Sequence, residues 1–252
     1  MTNIIICGAG GKMGKVVFDI AKNNPNVKIA AGVDKFADPK NFSFPLFSDF
    51  FKCNVPHDVI VDFSHPDALD DILNFCIKNK SGVVLATTGY TEQQKQKIKT
   101  TSAKIAIFQS FNMSLGINLL CNLVNQAARF LKDDYDIEII EKHHNQKIDA
   151  PSGTALMLAD SVSNAFDGGL NHVYNRREKS EKRSKKEIGI SSVRGGNIVG
   201  EHEIMFIGRD EIITFTHKAA SKEIFALGAL RAAIFLKDKK PGIYSMKDLT
   251  NF

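Results

Sequence analysis

Two short stretches of this chain carry residues whose types and spacing could do chemistry. The first is Glu141-Lys142-His143-His144-Asn145-Gln146-Lys147-Ile148-Asp149-Ala150-Pro151-Ser152-Gly153-Thr154-Ala155, the densest polar stretch outside a later basic run. A histidine transfers protons near neutral pH, and a nearby lysine adds positive charge or donates a proton. Pro151 excludes one continuous helix through Lys147 and Thr154. Ser152, Gly153 and Thr154 then begin the next helix, where backbone N–H groups and the helix dipole suit a carboxylate. Such a set fits an anionic acid that must be protonated, and it fits equally a capped helix after an exposed loop. If the preceding strand stays extended through 144, His143 and His144 point to opposite faces. They are then poor joint ligands for one ion, and further zinc ligands are not plainly at hand, so no metal is expected.

The second stretch is Gly8-Ala9-Gly10-Gly11-Lys12-Met13-Gly14, directly after an apolar run and at the head of a helical segment. A dinucleotide pyrophosphate lies in such a place, against backbone N–H groups at a helix N-terminus. With Met at position 13 the spacing is not strict GxGxxG, but it fits GxxGxxG through Gly8, Gly11 and Gly14. A tight structural turn would need the same glycines. Asp34 adds weight: it ends the second apolar run, 20 residues after Gly14, where a carboxylate would meet ribose hydroxyls. A triphosphate-binding GxxxxGK[ST] loop does not fit, since Ala9 and Val16 occupy positions that would need Gly and Ser or Thr. The expected cofactor is therefore NADH or NADPH, with Lys35 placed to pair with a 2′-phosphate. Two further turns, at 63–66 and at Thr87-Thr88-Gly89, either line a nicotinamide pocket or are ordinary turns.

These residues need elements to position them. Apolar runs at 4–7, 27–33, 59–61, 83–86 and 105–108 are unalternated and rich in Val and Ile, as in strands buried on both faces. Helical segments at 12–23, 66–79 and 91–103 lie between them. This alternation predicts an α/β fold: an N-terminal Rossmann-like doubly wound parallel sheet. Beyond it, 115–131 reads as a long helix, and Tyr135, Ile137 and Ile139 alternate with Asp136 and Glu138 as a half-exposed strand. The segment 153–166 reads as a helix, and 203–207 with 211–216 as a hairpin about Gly208-Arg209-Asp210. This irregular order predicts a second α+β domain built on an open mixed sheet. The final apolar helix, 224–236, could pack back on the first domain.

With 252 residues, 43% hydrophobic and 24% charged, global disorder is excluded. No run approaches the roughly 18 apolar residues that would span a bilayer, and the first ten residues lack the basic start of a secretory signal. Cys7, Cys53, Cys76 and Cys121 show no CxxC pairing. They read as reduced, buried thiols, which points to the cytoplasm. The net charge of +5 is matched by one run, residues 176–186 (RREKSEKRSKK), with seven basic and two acidic residues. Lacking aromatic residues for base stacking, it reads as a solvated loop, and no nucleic-acid or membrane partner is expected.

The motif His143-His144-x-x-Lys147-x-Asp149-Ala150-Pro151-Ser152-Gly153-Thr154-Ala155 closely resembles the signature of the dihydrodipicolinate reductase family, also called 4-hydroxy-tetrahydrodipicolinate reductases. The resemblance runs in order along nearly the whole chain. It takes in Gly8 to Gly14, Asp62-Phe63-Ser64-x-Pro66, Thr87-Thr88-Gly89, Asn112-x-Ser114-x-Gly116, Arg194-Gly195-Gly196-x-x-Val199-Gly200-Glu201-His202 and His217-Lys218-Ala219. It implies reduction of a cyclic dicarboxylate by NADH or NADPH to give tetrahydrodipicolinate, on the diaminopimelate route to lysine. By resemblance, Gly8, Ala9, Gly10, Gly11, Lys12 and Met13 form the pyrophosphate loop and Asp34 binds ribose. Ala86, Thr87 and Thr88 lie on the nicotinamide side, and Ser110, Phe111, Asn112 and Met113 form a second cofactor segment at a hinge. His143 and Lys147 are the proton-transfer residues, and His144, Gly153 and Thr154 contact substrate. The resemblance also implies a cofactor domain of residues 1–113 plus 219–252, a substrate and oligomerisation domain of residues 114–218, closure about hinges near Asn112 and Ala220, and a homotetramer.

The chain departs from the family pattern in three places. Residues 177–183 read REKSEKR where two glycines are usual, Lys222 stands where Arg is frequent, and Ala86 stands where Gly is frequent. The alternatives are a different two-domain dehydrogenase acting on a small anionic substrate, and a non-catalytic NAD(P) sensor that uses its basic run to bind a partner.

Overall fold

The computed structural model describes residues 1–178 and 180–250. In chain order the elements are β1 (Thr2–Cys7), α1 (Lys12–Ala21), β2 (Val27–Val33), β3 (Leu46–Phe47), β4 (Val59–Asp62), α2 (Leu69–Asn79), β5 (Gly82–Leu85), α3 (Glu92–Thr101) and β6 (Ala106–Gln109). There follow α4 (Leu115–Leu131), β7 (Asp136–His143), α5 (Gly153–Ser163), β8 (Asn171–Val173), β9 (Glu187–Arg194), β10 (Gly200–Ile207) and β11 (Ile212–Ala219). The chain ends with α6 (Glu223–Leu236), β12 (Gly242–Tyr244) and α7 (Met246–Thr250). Two compact units result: Met1–Leu115 with Lys222–Phe252, and Gly116–Ser221.

In the first unit, seven parallel strands lie in the order β12-β6-β5-β4-β1-β2-β3. The unalternated apolar runs have a direct cause. Neighbouring residues of one strand feed cores on opposite faces. Ile4, Ile6, Val59, Val61, Val84 and Phe108 pack with α1 and α6, whereas Ile5, Ile60, Val83, Leu85 and Ile107 pack with α2 and α3. The strand order reverses between β1 and β4, so the turns leaving their carboxyl ends flank a crevice, the place where such sheets take ligands. Helix α6 belongs to this unit through Ala226, Ala229, Ala232 and Ala233, all fully buried. The helix expected over 66–79 starts at Leu69, because Pro66 opens a 3₁₀ turn capped by His65. Strands β3 and β12 are edge strands of two and three residues, too short to carry a readable pattern.

The second unit is an open mixed sheet in the order β11-β10-β7-β9-β8. Strand β10 runs antiparallel to both β11 and β7, while β7, β9 and β8 are mutually parallel. Helices α4 and α5 cover one face, through Ile117, Val124, Leu158 and Val162 against Ile137, Ile139, Ile190, Ile204 and Phe206. Strict alternation in β7 buries Ile137, Ile139, Glu141 and His143 on that one face. The Rossmann-like parallel sheet and the second, mixed sheet expected from the sequence are both present.

Residues 176–186 are not the wholly solvated loop that their composition suggests. Arg183 donates to Asp136 Oδ1 at 2.9 Å, to Glu138 Oε1 at 3.1 Å and to the carbonyls of Ile137 and Glu187, each at 2.9 Å. Arg176 pairs with the buried Glu187 at 2.5 Å. The acidic groups that draw this segment in are Glu187, at the start of β9 directly after the run, and Asp136 and Glu138 of β7, 47 and 45 residues from Arg183. Lys179, within the run, lies outside the described residues.

Candidate active site

In the first unit, Gly8 closes β1 with φ +75°. A Cβ there would lie 2.9 Å from the Phe63 carbonyl oxygen, and a Cβ on Gly14 would lie 2.2 Å from the Gly8 carbonyl oxygen. Only glycine permits this approach of loop, helix and β4 turn. Gly11 is the N-cap of α1, with no side-chain cap and no acidic residue in the first turn. The leading N–H groups of such a helix lack intrahelical acceptors, and Lys12 and Met13 lie in that turn. Asp34, just past β2, ties the turn in place. Its Oδ2 accepts from Gly10 N at 2.8 Å, and its Oδ1 accepts from Phe36 N at 2.9 Å and Ala37 N at 3.0 Å. Lys35 beside it is exposed.

Two cavities open here. One, of about 760 Å³, is lined by Gly8, Gly11, Asp34 and Lys35 among others, and the other, of about 770 Å³, by Ala86, Thr87 and Thr88 among others. Both share Phe63, Ser64, His65 and Asp67. Ala9 is buried, and Ala9, Gly10, Lys12 and Met13 line neither cavity. Nor do Ser110, Phe111, Asn112 and Met113, which form a turn of their own. In it Ser110 Oγ donates to the Asn112 carbonyl at 2.8 Å, Asn112 Oδ1 accepts from Ser114 N at 2.9 Å, Phe111 is exposed and Met113 is buried. A bare helix N-terminus, a glycine-only approach and two adjoining cavities fit a dinucleotide. Asp34 and Lys35 would meet the adenosine ribose, and the helix start would meet the pyrophosphate.

Asp62, the last residue of β4, holds Ser64, which lines both cavities. Its Oδ1 accepts from Ser64 N at 3.0 Å and Ser64 Oγ at 2.5 Å, and its Oδ2 accepts from Tyr90 OH at 3.3 Å. Burial pushes its carboxyl above the usual range, against these hydrogen bonds. The sequence reading assigned it no role.

In the second unit the centre is Glu141, fully buried. Its Oε2 meets His143 Nδ1 at 2.6 Å, and its Oε1 accepts from Ser152 N at 3.1 Å. Arg194 grips both oxygens, at 2.8 and 2.6 Å, and also donates to the Asp149 carbonyl at 2.6 Å. Burial works against the Glu141 charge, yet Arg194, His143, Ser192 and the Ser152 N–H together hold its carboxyl down to about 2. His143 is drawn below its ordinary value by burial. The bond to Glu141 opposes that, and the charges of Lys147 and Arg194 add to it. An ionised carboxylate only accepts, so Nδ1 carries the proton and Nε2 is left free to exchange one. Gly200, across the sheet on β10, leaves room for this ring: a Cβ there would lie 3.0 Å from His143 Nε2.

Lys147 lies on the loop between β7 and α5, ion-paired with Asp149 at 2.8 Å. Ser152 caps α5, its Oγ accepting from Ala155 N at 3.1 Å. Gly153 and Thr154 open that helix, and Gly153 is exposed. His144 follows the end of β7 and is half-buried. His202 stands opposite Glu141 in the sheet, with Nε2 3.1 Å from Ser152 Oγ and its ring 5.3 Å from that of His143. Burial first, then the neighbouring His143 and His217, depress it to about 4.

The structure thus gathers His143, Lys147 and the start of α5 in one unit, around partners that the sequence reading did not assign: Glu141, Arg194 and His202. Period-two spacing would have found Glu141, which shares the face of His143. Arg194 and His202 had no signal of their own beyond the family motif.

A parallel coenzyme sheet in one unit and an acid–base cluster on a mixed sheet in the other define a two-domain NAD(P)H-dependent oxidoreductase. Residues 2–113 match the family described as "Dihydrodipicolinate reductase, N-terminus", and residues 116–250 match "Dihydrodipicolinate reductase, C-terminus". The chain belongs to the dihydrodipicolinate reductase family. It is 49% identical to a 4-hydroxy-tetrahydrodipicolinate reductase of Caldanaerobacter subterraneus subsp. tengcongensis, over 99% of this chain and 98% of that one. It is 46% identical to the enzyme of that name from Clostridium novyi, over the same shares. A dipicolinate-bound dihydrodipicolinate reductase from Paenisporosarcina sp. TG-14 shares the fold, with a TM-score of 0.82 at 24% identity over 98% of each chain. Among the described residues, no helix is long and apolar enough to cross a membrane.

Proposed function

We propose that the protein reduces 4-hydroxy-tetrahydrodipicolinate to tetrahydrodipicolinate with NADH or NADPH, in the diaminopimelate route to lysine. The observation that carries this reading is His143, backed by an ionised Glu141, on the segment that continues through Lys147 to the start of α5. When bound, the nicotinamide supplies the hydride. Gly8, Ala9, Gly10, Gly11, Lys12 and Met13 hold its pyrophosphate, and Asp34 holds the adenosine ribose, with Lys35 available to a 2′-phosphate. Ala86, Thr87, Thr88, Ser110, Phe111, Asn112 and Met113 serve the nicotinamide end. Residues 1–113 plus 219–252 act as the coenzyme domain, and 114–218 as the substrate and oligomerisation domain.

The chain's own residues handle charge and protons. Loss of the 4-hydroxyl as water leaves a conjugated cyclic imine; hydride addition to it moves electron density onto the ring, and a proton must follow from His143 or Lys147. Lys147, His144 and the N–H groups of Gly153 and Thr154 hold a substrate carboxylate and offset developing charge. The assembly is a cytoplasmic homotetramer.

The test is loss of reduced-nicotinamide absorbance with freshly made 4-hydroxy-tetrahydrodipicolinate, with NADH and NADPH in parallel. Substrate-dependent oxidation that falls about 10²-fold or more in Lys147→Ala, and similarly in His143→Gln, is the expected result. Coenzyme affinity should be unchanged in both variants. Coenzyme binding without oxidation would overturn the reading, and full turnover in Lys147→Ala would remove that residue from its role.

A further inference from the structure

We infer that Glu141, clamped by Arg194, is the positioning residue of this site: it fixes the ring of His143 with Nδ1 protonated and Nε2 presented, and it binds the same strand end to the helix start that holds the substrate carboxylate. The inference rests on the proposed function for its kinetic consequence, but not for its structural one.

Four contacts from three places in the chain converge on one buried carboxylate, two of them from Arg194. His143 reaches it from the same face of β7, and Arg194 from β9, where Arg194 is the register partner of His143. The Ser152 N–H comes from the cap of α5. Arg194 also holds the Asp149 carbonyl, two residues beyond Lys147. The proton-transfer histidine, the lysine loop and the anion-binding helix start are therefore tied to a single anion. A buried carboxylate is costly unless paired and fully bonded, and Glu141 meets both conditions.

The charge matters as well as the shape. A proton arriving at Nε2 makes an imidazolium, and the Glu141 carboxylate at Nδ1 stabilises it. The arrangement parallels the acid–histidine pairing in which a carboxylate orients the ring without itself being protonated. The other groups around His143 pull the opposite way or are neutral. Arg194 from β9 and Lys147 from the loop carry positive charge, and His202 from β10 is held neutral by burial at ordinary pH.

The decisive substitution is Glu141→Gln. At the Oε1 position an amide NH₂ would face two donors, Ser152 N–H and an Arg194 N–H. At the Oε2 position it faces one Arg194 N–H and the ring of His143, which can turn acceptor by moving its proton to Nε2. The ring should therefore switch tautomer. Nitrogen-15 spectra of the histidine rings, with His143 assigned by loss of its signals in His143→Gln, read this directly. We expect the Nδ1–H form in the unmutated enzyme and the Nε2–H form in Glu141→Gln. The His143 titration midpoint should move to lower pH in the variant, because the carboxylate that favours the imidazolium is gone.

With substrate and coenzyme, kcat should fall about 10²-fold with coenzyme Kd within twofold, and Glu141→Asp should recover part of the loss. An unmutated ring already in the Nε2–H form would overturn the inference, even if Glu141→Gln failed to fold. So would a Glu141→Gln variant that folds and keeps both the Nδ1–H form and its kcat. Failure of the unmutated protein to oxidise coenzyme would count against the proposed substrate instead, since the tautomer is read without turnover.

Discussion

Asp62 and Glu141 are both fully buried carboxylates near the carboxyl ends of central strands, and each ties down a turn that shapes its unit's site. Their partners differ. Asp62 is bonded by a backbone N–H and by neutral side chains, the Ser64 and Tyr90 hydroxyls among them, and burial raises its pKa. Glu141 meets a guanidinium on both oxygens, and its pKa falls to about 2 against the same pull of burial. Hydroxyl donors suffice to hold a turn in shape, while a matched cation is needed to keep a buried charge that a neighbouring histidine can use. In the first unit the protein has only to form a cradle, since the coenzyme carries the reactive atoms. In the second, on the proposed function, it must manage a proton.

The sharpest way to break this comparison is to remove the cation. Arg194→Met strands a buried charge, and unfolding free energy should drop by about 3–5 kcal/mol in denaturant titration. A loss below about 1 kcal/mol would mean that Glu141 is not held ionised by Arg194.

Acid should weaken the second unit next. His202 has a folded pKa of about 4, below its unfolded value near 6.5, so the unfolded chain binds more protons between those limits. Its contribution is intact above about pH 6.5 and is lost as pH falls towards 4, on the order of 3 kcal/mol. Glu141 adds a loss at lower pH still, as the solution passes its unfolded value near 4.5 towards 2. The stability–pH curve of His202→Gln should be shallower between about pH 6.5 and 4, the lowered pKa values of His57, His143 and His217 keeping part of the slope.

Ser152→Ala removes a helix cap and the partner of His202 Nε2 together, for roughly 2 kcal/mol. Thermal unfolding of this variant checks the sum. The smallest effect should come from Asp62→Asn, within about 1 kcal/mol, because the amide oxygen can still accept from Ser64 and no cation is orphaned. A cost for Asp62→Asn equal to that of Arg194→Met would erase the distinction between the two carboxylates.

Much of the fold was legible. The unalternated runs of β1, β4, β5 and β6 reflect a sheet whose neighbouring side chains enter opposite cores, and that property is local. The edge strands β3 and β12 were not legible, being too short for periodicity. Arg183 was misread because its partners Asp136 and Glu138 lie 47 and 45 residues away. His143 and Lys147 stood out by type, whereas Glu141 passed as an ordinary acidic residue although its place in the alternation already put it on the face of His143.

The sequence by itself determined the glycine turn after β1, the alternation of β7 and the cap of α5, since each depends on neighbours within a few residues. Only the tertiary structure decided that Arg194 stands across from His143 and His202 across from Glu141. Arg194 and Glu141 are separated by 53 residues. Strand pairing is chosen by the packing of the whole sheet against α4 and α5, and the charge on a carboxylate is set by what burial leaves within reach of it.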